Sequence, residues 1–261
     1  MKRIFLVKNE VLGVSNVWSF IDYLHLNTKI VNNIKDAEVI LVIGGDGTML
    51  KAIRKYQVYQ LPFVGLNFGH VGFLMNKAEI TIVDEIINNH INFIDNIRML
   101  KAEIYDQNEK MISEELAFND FYFERTTSQT AKFQIKINNE IKFESLISDG
   151  IIVSTPAGST AYNASAGGII LPIDSNLMII TAICPAIFHN WRTALLSSNS
   201  LITVESIETD KRPVRFLADG YEIKNALKAK ISYSDSKVIL GFAKSNDFRE
   251  KVVNFQFFKT I

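Results

Sequence analysis

The amino-acid sequence predicts an α/β domain built on a parallel sheet, followed by a mainly β domain. Short apolar runs alternate with helical patterns over roughly the first hundred residues, as in a parallel α/β sheet. From about residue 98 onward, apolar residues instead recur at every second position, which is typical of half-buried strands. Hydrophobic residues make up 48% of the 261-residue chain, so a sizeable core is expected and low-complexity disorder is excluded.

The elements of the first domain follow from its apolar runs. Residues 4–7 form a short apolar run that predicts a buried strand. Val39–Ile43 consists entirely of branched or aliphatic residues and predicts a central strand that is buried on both faces. Residues 48–56 have helical character. Residues 63–66 predict the next strand, and residues 83–87 lie in a predicted short helix.

The second domain, placed at about 99–235, is predicted from alternating patterns and turns. Apolar and polar residues alternate over residues 132–137, and Asn138-Asn139 predicts a tight turn because asparagine tolerates positive φ. Residues 214–217 predict a further strand. The C-terminal tail either extends this domain or returns to the first.

Charge and cysteine content narrow the possible functions. Lys and Arg total 28 and Asp and Glu total 28, so no global basic field attracts nucleic acid or an anionic membrane. We therefore predict neither as a partner. The single cysteine, Cys184, excludes an internal disulfide and a multi-cysteine metal site. The longest apolar stretch, residues 177–188, is shorter than the ~20 residues that a spanning helix needs. These features favour a soluble, cytoplasmic protein.

The first chemical motif is Gly44-Gly45-Asp46-Gly47-Thr48, directly after the predicted central strand. Ligands bind at the carboxyl ends of parallel strands, where glycines let backbone N–H groups approach an anion and a following helix adds its positive end. Asp46 would repel phosphate, so it suits a proton acceptor or a group near a metal ion. The alternative is a tight turn in which Asp46 caps the helix. The Walker and dinucleotide-binding fingerprints are absent from the sequence, which disfavours a dehydrogenase.

Three further segments carry candidate binding residues. Asp149–Gly168 is rich in hydroxyls and small residues; Tyr162 could stack on a base, or the segment could be a flexible surface loop. In Asn119-Asp120, the amide could read an adenine edge and the carboxylate could hold ribose hydroxyls, although an Asx turn explains the pair equally well. Gly65–Leu74 follows a strand and predicts a second glycine loop at the same sheet edge, with His70 either near phosphate or solvated.

Together these motifs resemble the NAD kinase family. The family's Gly-Gly-Asp-Gly-Thr loop stands at 44–48, its Gly-x-x-Gly-Phe-Leu element at 69–74, its Asn-acid pair at 119–120 and its long loop at 149–168. Diacylglycerol, sphingosine and phosphofructo-kinases carry strings similar to the first motif, so the long loop is the specific part. The resemblance covers most of residues 1–225.

The resemblance implies two domains and one reaction. The α/β domain would comprise residues 1–98 plus about 236–261, with the tail returning to it. The all-β domain, residues 99–235, would carry most of the NAD site. The reaction would transfer the γ-phosphoryl group of ATP, with Mg²⁺ or another divalent cation, to the 2′-hydroxyl of the adenosine ribose of NAD, giving NADP. Alternatives are a lipid or sugar kinase of the same loop type and a non-catalytic dinucleotide sensor.

Residue roles follow from the same resemblance. Asp46 matches the general base, and no residue is predicted as a protein metal ligand. The phosphate and ATP contacts would be Gly44, Gly45, Gly47 and Thr48. The NAD contacts would be Asp46, Gly47, Phe73, Asn119, Asp120, Asp149, Thr160, Ala161, Tyr162, Asn163, Ala164 and Ser165.

The resemblance also implies a homo-oligomer, a tetramer or a dimer, because family members supply the contact at Asp149 from a neighbouring subunit. The sequence departs from the family at two positions. Asp120 stands where many members have Glu, and Ile147 stands where many have Arg, so one cationic contact is missing. Asp219-Gly220-Tyr221 resembles a later family segment, but no contact is assigned to it.

Overall fold

A computed structural model describes residues 1–8, 15–69, 72–186, 191–244 and 248–257. In these residues the strands are β1 (Arg3–Lys8), β2 (Lys29–Ile30), β3 (Val39–Gly44), β4 (Phe63–Asn67), β5 (Asn76–Lys77), β6 (Asn92–Tyr105), β7 (Met111–Ala117), β8 (Asp120–Arg125), β9 (Ala131–Ile137), β10 (Glu140–Ser148), β11 (Gly150–Ser154), β12 (Leu177–Ile183), β13 (Thr193–Ser197), β14 (Ile202–Ser206), β15 (Val214–Ala218), β16 (Tyr221–Ile223) and β17 (Lys228–Phe242). The helices are α1 (Ser15–Asn27), α2 (Asp46–Tyr56), α3 (Ile80–Ile87), α4 (Tyr162–Ser165) and α5 (Phe248–Gln256), with 3₁₀ turns at Ile34–Asp36, Gln57–Tyr59 and Ala157–Thr160.

The chain folds into two compact units. The first unit comprises Met1–Ile97 and Ser236–Ile261, and the second comprises Arg98–Asp235. No helix within the described ranges is both long and apolar enough to cross a lipid bilayer.

The first unit is an α/β structure on a parallel sheet. Its strands run in the order β2–β1–β3–β4, and the last part of β17 pairs in parallel with β4 through Leu240 opposite Phe63. Strand β3 is buried along its whole length, as its uninterrupted apolar sequence predicts. The predicted α/β class and the returning tail are confirmed.

Helix α2 begins two residues before the predicted segment 48–56, and α3 contains the predicted residues 83–87. Helix α2 starts at Asp46, because Gly45 has extended backbone angles and serves as the N-cap residue. Helix α3 starts at Ile80, and its Ile82, Val83 and Ile86 pack into the core of this unit. The apolar faces of the helices thereby cover the sheet that presents the glycine loop.

The second unit consists of antiparallel sheets around a shared core. One sheet has the order β13–β12–β11–β8–β15–β16, and another ladder pairs β10, β9, β14 and the first part of β17. Phe123 from β8 and Phe133 from β9 meet in the core with ring centroids 5.9 Å apart. The turn between β9 and β10 has φ values of 52° at Asn138 and 68° at Asn139, so the predicted tight turn is confirmed.

Candidate active site

The glycine loop after β3 is shaped partly by packing and partly by open space. A Cβ atom on Gly44 would lie 2.4 Å from Oγ1 of Thr48, so no side chain fits there. A Cβ atom on Gly47 would meet no described atom within 4 Å, so packing in the described structure does not require that glycine. The loop leads directly into α2, whose first N–H groups and positive dipole end favour a bound anion.

Asp46 turns its carboxylate toward the backbone of a separate segment. Its oxygens accept hydrogen bonds from the N–H groups of Phe73, at 2.9 Å, and Leu74, at 3.0 Å. Gly45, not Asp46, is the N-cap residue of α2, so the alternative in which Asp46 caps the helix is wrong. Burial raises the pKa of Asp46, and the two N–H groups and the charge of Lys251 oppose that rise.

The second glycine loop meets the first, as predicted. The N–H group of Phe68 donates to the carbonyl oxygen of Gly44 at 2.7 Å. A Cβ atom on Gly69 would lie 3.7 Å from the Cα atom of Gly45, so the two loops are in close contact. Residues 70 and 71, including the candidate phosphate contact His70, lie outside the described residues.

In the second unit, Asn119 and Asp120 are held by a remote carboxylate. Asp219 accepts hydrogen bonds from the backbone N–H groups of Phe118, Asn119 and Asp120, at 2.7, 2.8 and 3.2 Å. Asp219 lies in the two-residue turn between β15 and β16, where φ is 47° at Asp219 and 82° at Gly220. The Asp-Gly pair is a hairpin signal in the sequence, but nothing local marks its three partners about a hundred residues earlier.

The side chains of Asn119 and Asp120 leave polar groups available in a buried setting. Asn119 is 8% exposed, and its Oδ1 atom has no hydrogen-bond partner among the described residues. Asp120 is also buried, and both this burial and the nearby charge of Asp219 raise the pKa of Asp120 well above its usual range. Because buried polar atoms are normally paired, an unpaired amide oxygen indicates a place for a ligand donor.

Residues 150–159 of the long loop are buried, so the interpretation of the whole segment as a surface loop is wrong. The hydroxyl of Thr155 donates to the carbonyl oxygen of Phe118 at 2.7 Å, and that of Ser159 donates to the carbonyl of Pro156 at 2.7 Å. A Cβ atom on Gly158 would lie 2.2 Å from the carbonyl oxygen of Asn119. These contacts fix the start of the loop against the segment that carries Asn119.

Asn163, a predicted NAD contact, has an internal role. It is fully buried, and its amide nitrogen donates to the carbonyl oxygens of Ser159 and Ile169, both at 3.0 Å. Its amide oxygen accepts from the hydroxyl of Thr181 at 2.7 Å. Among the other predicted contacts in this loop, Ser165 is exposed and the residues that remain partly accessible are Thr160, Ala161, Tyr162 and Ala164.

Tyr162 and Asp149 each have a protein partner. The hydroxyl of Tyr162 donates to Oε2 of Glu124 at 3.3 Å, and its ring packs edge-on against Tyr122. Burial, with the nearby charge of Glu124, raises the pKa of Tyr162 to about 12, so its phenol is neutral at physiological pH. The carboxylate of Asp149 forms an ion pair with Nε of Arg125 at 2.7 Å. A guanidinium therefore reaches this region although residue 147 is isoleucine.

Two residues beside these groups were missed by the sequence analysis. Asp219 was noted without a role. Lys251 on α5 was not considered, because it stands in a run with Arg249 and Glu250 that is typical of a solvated helix face. Yet Lys251 is buried, and its charge acts on Asp46.

The residues that the structure describes contain no cluster of three or more His, Cys, Asp or Glu side chains able to hold a metal ion.

Two family models match most of this chain. Residues 21–93 match the ATP-NAD kinase N-terminal domain, and residues 119–240 match the ATP-NAD kinase C-terminal domain. The NAD kinase of Rickettsia bellii is 38% identical to this chain over 98% of both proteins. The chain belongs to the NAD kinase family. The NAD kinase of Rickettsia typhi, another family member, is 40% identical over 86% of this chain and 87% of its own length.

Two solved kinase structures have the same fold as this chain. The yeast NADH kinase, crystallised with NADH, superposes with a TM-score of 0.83 at 19% identity and covers 100% of this chain and 89% of its own. An NAD kinase from Archaeoglobus fulgidus in complex with ATP gives 0.75 at 20% identity, covering 97% of each chain. The predicted fold class is confirmed. Family membership also decides in favour of an NAD kinase and against a lipid or sugar kinase or a non-catalytic sensor.

Proposed function

We propose that the protein transfers the γ-phosphoryl group of ATP to the 2′-hydroxyl of the adenosine ribose of NAD, with Asp46 as general base. The observation that carries the proposal is the placement of one carboxylate at the end of β3. Two backbone N–H groups orient Asp46, and the adjacent Gly47 leaves open space at the start of α2. A proton acceptor thus lies beside a backbone surface suited to phosphate.

The chemistry requires such an acceptor, because a sugar hydroxyl is a poor nucleophile. As the ribose oxygen bonds to the γ-phosphorus, its proton passes to a carboxylate oxygen of Asp46. The bond between the γ-phosphorus and the β–γ bridging oxygen breaks, and ADP leaves. Burial raises the pKa of Asp46, which makes the carboxylate a stronger base while the opposing N–H groups and Lys251 favour its ionised form. A positioned base of this kind contributes ~10²–10⁴ in rate.

The phosphates of ATP are assigned to the backbone of the glycine loop, with Gly44, Gly45, Gly47 and Thr48 as contacts. Two features support this assignment, the open space at Gly47 and the start of α2. A divalent cation, Mg²⁺ in the simplest case, would enter with ATP and neutralise phosphate charge.

The adenosine half of NAD is assigned to Asn119 and Asp120. The unpaired Oδ1 atom of Asn119 can accept a hydrogen bond from the exocyclic amine of adenine. The Asp120 carboxylate can accept from ribose hydroxyls. Phe73, Thr160, Ala161, Tyr162, Ala164 and Ser165 would line the rest of the dinucleotide, with Asn163 holding their loop in place.

The proposal includes a cytoplasmic homo-oligomer, a tetramer or a dimer, in which Asp149 lies near a neighbouring subunit's nicotinamide. Arg125 supports this role, because its ion pair fixes the Asp149 carboxylate. The single cysteine is consistent with a reducing compartment. Mass measurement in solution with and without NAD tests the assembly, and cell fractionation tests the location.

The deciding experiment measures NADP formation from NAD, ATP and Mg²⁺ with an NADP-specific dehydrogenase. Asp46→Asn is assayed beside the wild type, and Asp95→Asn, which changes an exposed aspartate, is the matched control. We expect wild type and D95N to form NADP, and D46N to lose about 10²–10⁴-fold in kcat while calorimetry still detects NAD binding. NAD binding without NADP formation by the wild type would contradict the proposed reaction.

A further inference from the structure

Helix α5 places a lysine in the interior of the first unit. Lys251 is 9% exposed, and its neighbours Phe248 and Val252 are also buried. Burying an ammonium group costs free energy unless its donors find acceptors, so such a lysine is retained only where the fold supplies them. The acceptors of Lys251 therefore indicate what the residue does.

In the described structure, the hydrogen-bond acceptors of Lys251 belong to one short segment, residues 72–75. Its Nζ atom donates to the carbonyl oxygens of Gly72, at 3.0 Å, of Phe73, at 3.5 Å, and of Met75. The ring of Phe255, one turn further along α5, packs edge-on against Phe73 with centroids 5.1 Å apart. Helix α5 thus holds this segment through its backbone and through one aromatic side chain.

The same peptide groups bind the Asp46 carboxylate on their other side. The carbonyl of Gly72 and the N–H of Phe73 belong to one peptide group, and the carbonyl of Phe73 and the N–H of Leu74 belong to the next. Lys251 binds the two carbonyl oxygens, and Asp46 accepts from the two N–H groups at 2.9 and 3.0 Å. A cation on the oxygen of a peptide group polarises that group and strengthens its N–H as a donor.

The charges that act on Lys251 are those of Asp46 and Lys77. Burial is the main cause that lowers the pKa of Lys251 to about 8; the Asp46 charge opposes the change and the Lys77 charge adds to it. The lysine is therefore mostly protonated at neutral pH. Its Nζ atom also lies 5.5 Å from the ring centre of Phe242.

We propose that Lys251 is a positioning residue for Asp46, acting through the two peptide groups that join residues 72, 73 and 74. The inference rests on the proposed role of Asp46 as base. It assigns to the C-terminal helix a function in orienting the carboxylate and keeping it ionised, without contact with either substrate.

The main test is Lys251→Met, which keeps an unbranched apolar stem and removes the charge and the donors. We expect kcat for NADP formation to fall about 10- to 100-fold, because small displacements of a catalytic group are costly. The KM values for NAD and ATP should change by no more than about twofold. The acidic limb of the kcat–pH profile should move to higher pH, because Asp46 loses a nearby cation and well-oriented donors.

Two control variants separate positioning from general destabilisation. Val252→Ala removes a buried side chain from the same helix and leaves the lysine contacts intact, so we expect a lower Tm with an unmoved acidic limb. Lys251→Arg keeps a cation with N–H donors, and we expect it to retain more activity than K251M and a wild-type acidic limb. If K251M does not fold, Lys251→Gln replaces it, and an unmoved acidic limb in K251Q would overturn the inference.

A double variant identifies the route of the effect. If Lys251 acts through Asp46, then D46N/K251M should have the same kcat as D46N, while the loss of Tm caused by K251M persists in both backgrounds. If K251M lowered kcat by the same factor in the wild-type and D46N backgrounds, the inference would be overturned. It would also be overturned if K251M had a normal kcat while D46N was impaired. Normal turnover by D46N would overturn the base assignment and the inference together.

Discussion

Each unit of the molecule uses an aspartate to fix a distant backbone segment, but the two sites differ in the charge beside that aspartate. Asp46 accepts from the N–H groups of Phe73 and Leu74, and Lys251 provides a cation nearby. Asp219 accepts from three consecutive N–H groups, and a second carboxylate, Asp120, lies close enough for their charges to interact. Burial raises the pKa of both Asp46 and Asp120, but the N–H groups and Lys251 oppose the rise at Asp46, whereas the charge of Asp219 adds to it at Asp120.

The largest contrast is expected between Asp46→Asn and Asp219→Asn. D46N should lose about 10²–10⁴-fold in kcat with little change in the Kd for NAD. D219N turns an NH₂ group toward at least one backbone donor. We therefore expect it to lower the free energy of unfolding by ~1–3 kcal/mol and to weaken NAD binding. Its kcat–pH profile should keep the wild-type acidic limb. Chemical denaturation measures the stability, calorimetry the NAD affinity and steady-state kinetics the kcat–pH profile. A shifted acidic limb in D219N would contradict the assignment of separate roles to Asp46 and Asp219.

The next effect concerns the unpaired amide oxygen in the second unit. Asn119→Ala should weaken NAD binding about 10- to 100-fold, because adenine loses a buried hydrogen-bonding partner. The apoprotein should be no less stable than wild type, since the change removes a buried acceptor that has no partner among the described residues. Calorimetry with NAD and thermal unfolding without it test both statements. A large loss of apoprotein stability with unchanged NAD affinity would assign Asn119 to the fold alone.

The smallest effect is a pH dependence of stability at Asp120. Its pKa in the folded protein is raised above 3.8, so the stability linked to this group is present below that pH and is lost as pH rises through the folded pKa. Asp120→Asn removes the ionisable carboxyl group and with it this loss of stability at higher pH. We expect the Tm of apo D120N to exceed that of wild type by about 2–4 °C at pH 7.5 and the difference to vanish toward pH 3.5. A Tm difference that grows on acidification would show the opposite sign and contradict the assigned cause.

The sequence predicted the features that local patterns encode. The run Val39–Ile43 predicted a buried parallel strand, and the glycines after it predicted a loop at the carboxyl end of that strand. The Asn138-Asn139 pair predicted its turn, because positive φ is a property of those residues themselves. The fold class and the family were accessible for the same reason, since their motifs are contiguous strings.

What the sequence could not predict depends on contacts between distant residues. Lys251 lies 176 to 179 positions from the carbonyl groups that it binds, and its neighbours Arg249 and Glu250 are typical of a solvated helix. The long loop misled in another way. Its many hydroxyls favoured a binding loop for a polar ligand, but the Thr155 and Ser159 hydroxyls donate to the protein's own carbonyl groups. Composition alone does not distinguish these uses of a hydroxyl.

Gly158 has a consequence for how this sequence can change. Because a Cβ atom there would lie 2.2 Å from the carbonyl oxygen of Asn119, any larger residue must displace the backbone that carries the candidate adenine-binding amide. Mutational drift at position 158 is therefore constrained through position 119, although the glycine has no side chain with which to recognise a nucleotide. Gly158 thus contributes to the candidate site by making room for the backbone of Asn119.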